Sequence, residues 1–89
     1  MPSLIQLKGE ITLQNLESFF SQLQPCLSEA GEVVLSCRDL EFLDTAAFQL
    51  LVSFKKSLGK RALLFQEVPA QVRETATLLG LNTFFGLGG

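Results

Sequence analysis

The chain has 89 residues, of which 47% are hydrophobic and eight are Phe, and its formal net charge is −2. This length suits one hydrophobic core, and the apolar content excludes a disordered chain. Polar residues interrupt every apolar stretch, which excludes a membrane-spanning segment of about 20 residues and direct membrane insertion. A mildly acidic chain also argues against nucleic acid as a partner, because phosphate binding needs a concentrated basic patch. We expect one domain over residues 1–85 and a flexible tail over 86–89.

The first third of the chain predicts a strand followed by a helix. Partly alternating residues 4–8 predict a strand that Gly9 and Glu10 close. Apolar residues then recur at helical spacing on one face. They are Leu16, Phe19, Phe20, Leu23 and Leu27. Pro25 lacks a backbone donor, so the helix is expected to kink or end near residues 23–24.

The middle of the chain predicts a buried strand and a second helix. The nearly continuous apolar run 33–37 is typical of a strand buried on both faces. Residues 38–43 are expected to form a connector, and Asp44 is a good N-cap for the helix that follows. The inner face of this helix is Ala47, Leu50, Leu51, Phe54 and Leu58. Gly59 is its stop signal.

The last third predicts a third buried strand, 62–65, and a third helix. Pro69 suits the first turn of this helix, Gly80 ends it, and residues 81–85 are expected to pack back onto the core. Its inner face is Val72, Ala76 and Leu79. The repeated order of strand and helix predicts an α/β domain with a mainly parallel sheet and right-handed crossovers.

The residue inventory argues against an enzyme. The chain has no His, so the usual general base and the commonest metal ligand are both missing, and we expect no metal and no cofactor. Asp39 is expected in a turn and Asp44 at a helix cap, rather than as a catalytic pair. Cys26 and Cys37 lack a zinc-binding spacing and are expected to be reduced and buried. Polar residues break the first apolar run, which predicts no secretory signal and a cytoplasmic protein.

A terminal Gly88-Gly89 pair raises a remote alternative, a carrier protein with an activated diglycine tail. Such carriers are built on paired hairpins, whereas helices separate the strands predicted here. A flexible tail is the simpler interpretation of these glycines.

Three segments carry a resemblance to a known family. They are D-L-E-F-L-D-T-A-A-F-Q-L-L at 39–51, G-E-I-T-L-Q-N at 9–15, and the stretch 69–81 with its leucine–glycine–leucine end. In this order they resemble the STAS domain, named for sulfate transporters and anti-sigma factor antagonists. The resemblance covers nearly the whole chain. It implies a compact domain of three to four mainly parallel strands covered by about three to four helices.

The resemblance also implies a non-enzymatic interaction module in partner-switching signal transduction of bacteria. In sigma-factor antagonists the usual run is D-S-S-G, and its second serine takes a phosphate from a serine/threonine kinase that is often the anti-sigma factor. That position is Ala46 here, which has no hydroxyl group. In stress-signalling relatives the residue directly after the Asp is the acceptor, and this resemblance implies that Thr45 is the candidate phosphoacceptor. The alternative is a STAS subunit of a phospholipid-trafficking ABC transporter, in which an Asp-Thr pair contacts the ATPase subunit.

The expected contact surface comprises Asp44, Thr45, Ala46, Phe48 and Val52. For Phe48 and Val52 two alternatives stay open: burial against a neighbouring helix, or an exposed apolar ridge that marks a docking surface. Most relatives have an extra strand before the first strand predicted here. Its absence leaves a sheet edge open, which makes pairing with a partner or a homodimer an expected arrangement.

Overall fold

The computed structural model of the chain describes residues 3–86. One sheet contains the parallel strands β1, β2 and β3 in that spatial order. The strands are β1 Ser3–Ile11, β2 Val33–Leu43 and β3 Leu63–Gln66. The helices are α1 Leu16–Leu23, α2 Thr45–Leu58 and α3 Ala70–Leu78. Short 3-10 segments, Leu13–Asn15 and Gln24–Ser28, flank α1. The predicted α/β class and the parallel pairing of the strands are confirmed.

Strands β1 and β2 run further than the sequence indicates. Their pairing continues to Ile11 opposite Leu43, so Gly9 and Glu10 do not close β1, and the predicted connector 38–43 is wrong because it belongs to β2. Two register shifts in the ladder let polar residues of 38–41 fit a strand while Leu40 and Leu43 stay buried. The longer pairing brings the end of β1 beside the start of α2.

The core lies between the sheet and the helices. In β2, Val33, Val34 and Leu35 are all buried, as predicted, but Val34 pairs with the exposed Leu4 and Leu64, so its face of the sheet is not covered as a whole. The largest fully buried side chains are Phe48, Leu7, Leu23, Leu35, Leu43, Leu51, Val33, Val72 and Cys37. Cys26 and Cys37 are both free and buried, as predicted.

Helix α1 is shorter than the apolar pattern of the sequence predicts. It ends at Leu23, and Pro25 lies in the 3-10 segment that follows, which confirms the expected break. Phe19 and Leu23 are buried, but Phe20 is 43% and Leu27 is 39% exposed. The prediction that both line the inner face is therefore wrong. Once the helix becomes a 3-10 segment its turn tightens, so α-helical spacing no longer keeps Leu27 on the core side.

Burial in β3 and α3 differs from the prediction at two leucines. Leu63 is buried, but Leu64 is 44% exposed because alternate residues of a strand face opposite sides of the sheet. Leu79 is 36% exposed and lies at the C-terminal cap of α3, past its inner face.

The segment after α3 returns to the core as predicted. Phe85 is 5% exposed, and its ring centroid lies 5.3 Å from that of Phe65. Residues 87–89 of the expected tail lie outside the described residues. Gly86, the first residue of that tail, still donates a backbone hydrogen bond to Thr83.

Within residues 3–86, β1 is an edge strand of the sheet. The carbonyl oxygen of Gln6 accepts a hydrogen bond of 3.2 Å from the side-chain amide of Gln22 on α1. A helix side chain therefore contacts the backbone of this edge strand. Pairing of β1 with a second copy stays a prediction.

Candidate functional site

The candidate site lies at the carboxyl edge of the sheet, where β2 ends and α2 begins. Asp44 is the residue between them, and its backbone amide donates a hydrogen bond of 3.1 Å to the carbonyl of Ile11 at the end of β1. Its backbone is extended, with φ −84° and ψ 179°, as expected for an N-cap residue. The chain is thus fixed on both sides of the turn that presents Thr45.

Both carboxylate oxygens of Asp44 are used within the fold. Oδ1 accepts a hydrogen bond of 2.9 Å from the amide of Ala47, which caps α2. Oδ2 accepts a hydrogen bond of 2.9 Å from the amide of Leu13, in the 3-10 segment that follows β1. The predicted cap is confirmed. The carboxylate also links the start of α2 to the turn after β1, a contact that the sequence analysis did not predict.

Thr45 is the first residue of α2, and its side chain is exposed. The side chain makes no hydrogen bond within residues 3–86, so its hydroxyl group is available both as a donor and as an acceptor. Ala46 is half-buried. The first amides of a helix lack partners within the helix, and Asp44 takes that of Ala47, which leaves the amides of Thr45 and Ala46 at the positive end of the helix dipole.

The structure distinguishes between the alternatives for Phe48 and Val52. Phe48 is 1% exposed, and its ring centroid lies 6.2 Å from that of Phe85. The exposed-ridge alternative is therefore wrong for Phe48, because the returning C-terminal segment covers this flank of α2. Val52, one turn further along, is half-buried and packs against the core. Phe48 therefore supports α2 from inside, and Thr45 is the exposed residue of the predicted contact surface.

A second turn adjoins Asp44. It lies in the segment 9–15 that carries part of the family resemblance, but the sequence analysis predicted no contact role for it. Thr12 and Asn15 form a capping box: the amide of Thr12 donates to Asn15 Oδ1 at 2.7 Å, and the Thr12 hydroxyl accepts from Gln14. Asn15 also donates to the carbonyl of Glu10 at 2.8 Å. Between these residues Leu13 is 70% exposed. The Thr-x-x-Asn spacing indicates the turn, but nothing in the sequence shows that Leu13 faces solvent.

The titratable groups near the site do not form a catalytic arrangement. Asp39 is exposed and lies opposite Lys8 in the β1–β2 ladder, whereas Asp44 is committed to two amides. Burial raises the pKa of the Cys37 thiol to about 11, so Cys37 is a protonated core residue at neutral pH. In the described part of the chain, no group of three or more His, Cys, Asp or Glu residues is placed to hold a metal ion.

Four basic residues near the end of α2 are partly structural: Lys55, Lys56, Lys60 and Arg61. The ammonium group of Lys55 lies 5.7 Å from the ring centroid of Phe84, a cation–π distance. Arg61 donates to the carbonyls of Gly31 and Cys26, at 2.8 and 2.9 Å. Two of the cations are therefore used to hold loops and the C-terminal segment.

Within residues 3–86, no helix has the length and apolar character to cross a bilayer.

The fold and the site define a small α/β domain that presents the first turn of α2 to solvent at the carboxyl edge of its sheet. Comparison with protein families assigns it further. The family model described as "Mlab, STAS domain" matches residues 2–88, nearly the whole chain. The chain is a STAS domain and belongs to this family. No curated protein matches the chain closely enough to count as a relative.

Proposed function

We propose that the chain is a non-enzymatic protein-interaction subunit that contacts its partner through the first turn of α2, with Thr45 as the central contact. The observation that carries this proposal is the exposed Thr45 side chain on a turn held by both oxygens of the Asp44 carboxylate. STAS domains are in general interaction modules, which supports the class of function.

The partner that we propose, from the STAS resemblance, is the ATPase subunit of a phospholipid-trafficking ABC transporter, which Thr45 contacts without being modified. Two features support an unmodified contact. Ala46 carries no hydroxyl group at the position where sigma-factor antagonists are phosphorylated. The Asp44 carboxylate also lies next to Thr45, so a phosphate there would add about −1.5 to −2 charge beside an existing anion.

The binding experiment compares two threonines. The purified ATPase subunit is titrated with the wild-type chain and with Thr45→Val, which keeps the shape of the side chain and removes its hydroxyl. Thr83→Val, at another exposed threonine, is the matched control. We expect Thr45→Val to weaken binding about tenfold or more and the control to bind like wild type. Equal binding by both variants would contradict a contact through Thr45.

A second candidate is partner switching with a serine/threonine kinase or anti-sigma factor. The observation in its favour is that the Thr45 hydroxyl is exposed at the positive end of a helix, where the dipole stabilises an added phosphate. Incubation with the kinase and ATP, followed by intact-mass measurement, tests it. One phosphate on wild type and none on Thr45→Val would support this candidate over the transporter subunit. No added mass would remove it.

A further inference from the structure

Three leucines are more than half exposed in the described part of the chain: Leu4, Leu13 and Leu78, at 64%, 70% and 86%. Leu13 differs from the other two because its backbone amide is bonded to Asp44, the residue that caps the helix of Thr45. It therefore lies at the same edge of the sheet as Thr45. Burying a leucine side chain contributes about 1.5–3 kcal/mol, so an exposed one beside a contact surface is a strong potential anchor.

We propose that Leu13 is the apolar anchor of the Thr45 contact surface and that Asp44 holds the two contacts in a fixed relation. This inference rests on the proposed function. The partner surface that fits this arrangement has an apolar pocket for the Leu13 side chain beside a group that hydrogen-bonds the Thr45 hydroxyl. The pair of contacts comes from two turns that are distant in sequence and joined by one carboxylate.

The turn that carries Leu13 is pre-organised. Four hydrogen bonds that involve a side chain hold it: Thr12 to Asn15, Gln14 to Thr12, Asn15 to Glu10, and Leu13 to Asp44. Binding through a fixed turn avoids the entropy cost of ordering a loop. The same bonds leave the Leu13 side chain in water in the free protein, where it contributes little to the core. A turn that hydrogen bonds hold rigid while it keeps an apolar side chain in water is the arrangement expected of a binding anchor.

Asp44→Asn separates the two roles of the carboxylate. Asparagine is as good an N-cap as aspartate, so its oxygen keeps the bond to Ala47 and α2 still begins at Thr45. Its amide nitrogen is a donor and cannot accept from the amide of Leu13. The substitution therefore frees the Leu13 turn and leaves the Thr45 turn in place.

The test measures affinity for the purified ATPase subunit by calorimetry. Leu13→Ala is compared with Leu78→Ala, a truncation of the same size at a more exposed leucine on α3. We expect Leu13→Ala to bind about tenfold more weakly, Leu13→Met to regain most of the affinity, and Leu78→Ala to bind like wild type. Amide exchange by NMR, which needs no partner, should show faster exchange at Leu13 in Asp44→Asn.

Each other result overturns a defined part of the inference. If Thr45→Val loses affinity while Leu13→Ala binds like Leu78→Ala, the anchor is wrong and the proposed function stands. Loss of affinity in Leu13→Ala without loss in Thr45→Val means that the two side chains do not share one contact surface. Unchanged Leu13 exchange in Asp44→Asn removes the role of Asp44. A wild-type chain that does not bind the ATPase subunit overturns both the proposed function and the anchor that rests on it.

Discussion

The Asp44 carboxylate should stabilise the chain through two hydrogen bonds, and substitutions can separate their contributions. Asp44→Ala removes the cap of α2, worth about 1 kcal/mol, and the charged bond to Leu13. A hydrogen bond to a charged group contributes about 1.5–3 kcal/mol, and the exposure of Leu13 places this one at or below the lower end of that range. The expected loss is therefore about 2–3 kcal/mol, whereas Asp44→Asn, which keeps the cap, should lose about 1 kcal/mol.

Urea and thermal denaturation measure both losses of unfolding free energy. For a domain of this size 1 kcal/mol shifts the melting temperature by about 4–8 °C. We thus expect a decrease of about 4–8 °C for Asp44→Asn and roughly twice that for Asp44→Ala. Asp39→Asn, at an exposed carboxylate of β2, is the control and should melt like wild type. Equal melting of Asp44→Asn and wild type would show that the bond to Leu13 contributes no stability, and our account of the carboxylate would then be wrong.

Three further predictions concern the core and the backbone. Phe48→Ala should lower the unfolding free energy by about 3–5 kcal/mol in urea denaturation, because it opens a cavity beside Phe85. A loss below about 1 kcal/mol would contradict the burial of Phe48. Burial raises the pKa of the Cys37 thiol from 9.0 to about 11. The unfolded chain therefore loses this proton at lower pH than the folded chain, and stability should fall by about 2–3 kcal/mol between these pH values. Cys37→Ala should remove that part of the pH dependence. Gly59→Ala and Gly59→Asn should each cost about 1–3 kcal/mol, because φ is +63° and ψ is −119°, outside the left-handed helical region that asparagine tolerates, while an added Cβ meets nothing within 4 Å. Melting of both variants like wild type would exclude backbone strain.

The fold was predictable where one local signal was sufficient. The stop at Gly59, the break at Pro25 and the cap at Asp44 each follow from the conformation or hydrogen bonding of one residue, and the structure confirms them. The second half of β2 was not predictable in this way. Its polar residues are typical of a loop, and they form a strand because the β1 ladder pairs with them through register shifts. Such pairing between distant residues leaves no pattern in either segment alone.

The candidate site was likewise predictable only where a local signal in the sequence was sufficient. Asp44 and Thr45 could be found because they are adjacent in sequence and begin a helix with a clear apolar face. Leu13 was missed because its exposure depends on the capping box that turns the chain and on a carboxylate 31 residues further along the sequence. Phe48 had two open alternatives for a related reason. Only the return of the C-terminal segment, with Phe85 against its ring, decides that it is buried.

In the function that we propose, stability and recognition depend on different side chains at the carboxyl edge of the sheet. Asp44 directs both carboxylate oxygens into the fold, whereas the Thr45 side chain has no hydrogen-bond partner within residues 3–86. Substitutions at Thr45 can therefore alter a contact with another protein at little cost to the fold, while substitutions at Asp44 change both. It follows that a loss of binding in Thr45→Val with an unchanged melting temperature reports on recognition alone. The same loss in Asp44→Ala cannot be interpreted until the stability of that variant has been measured.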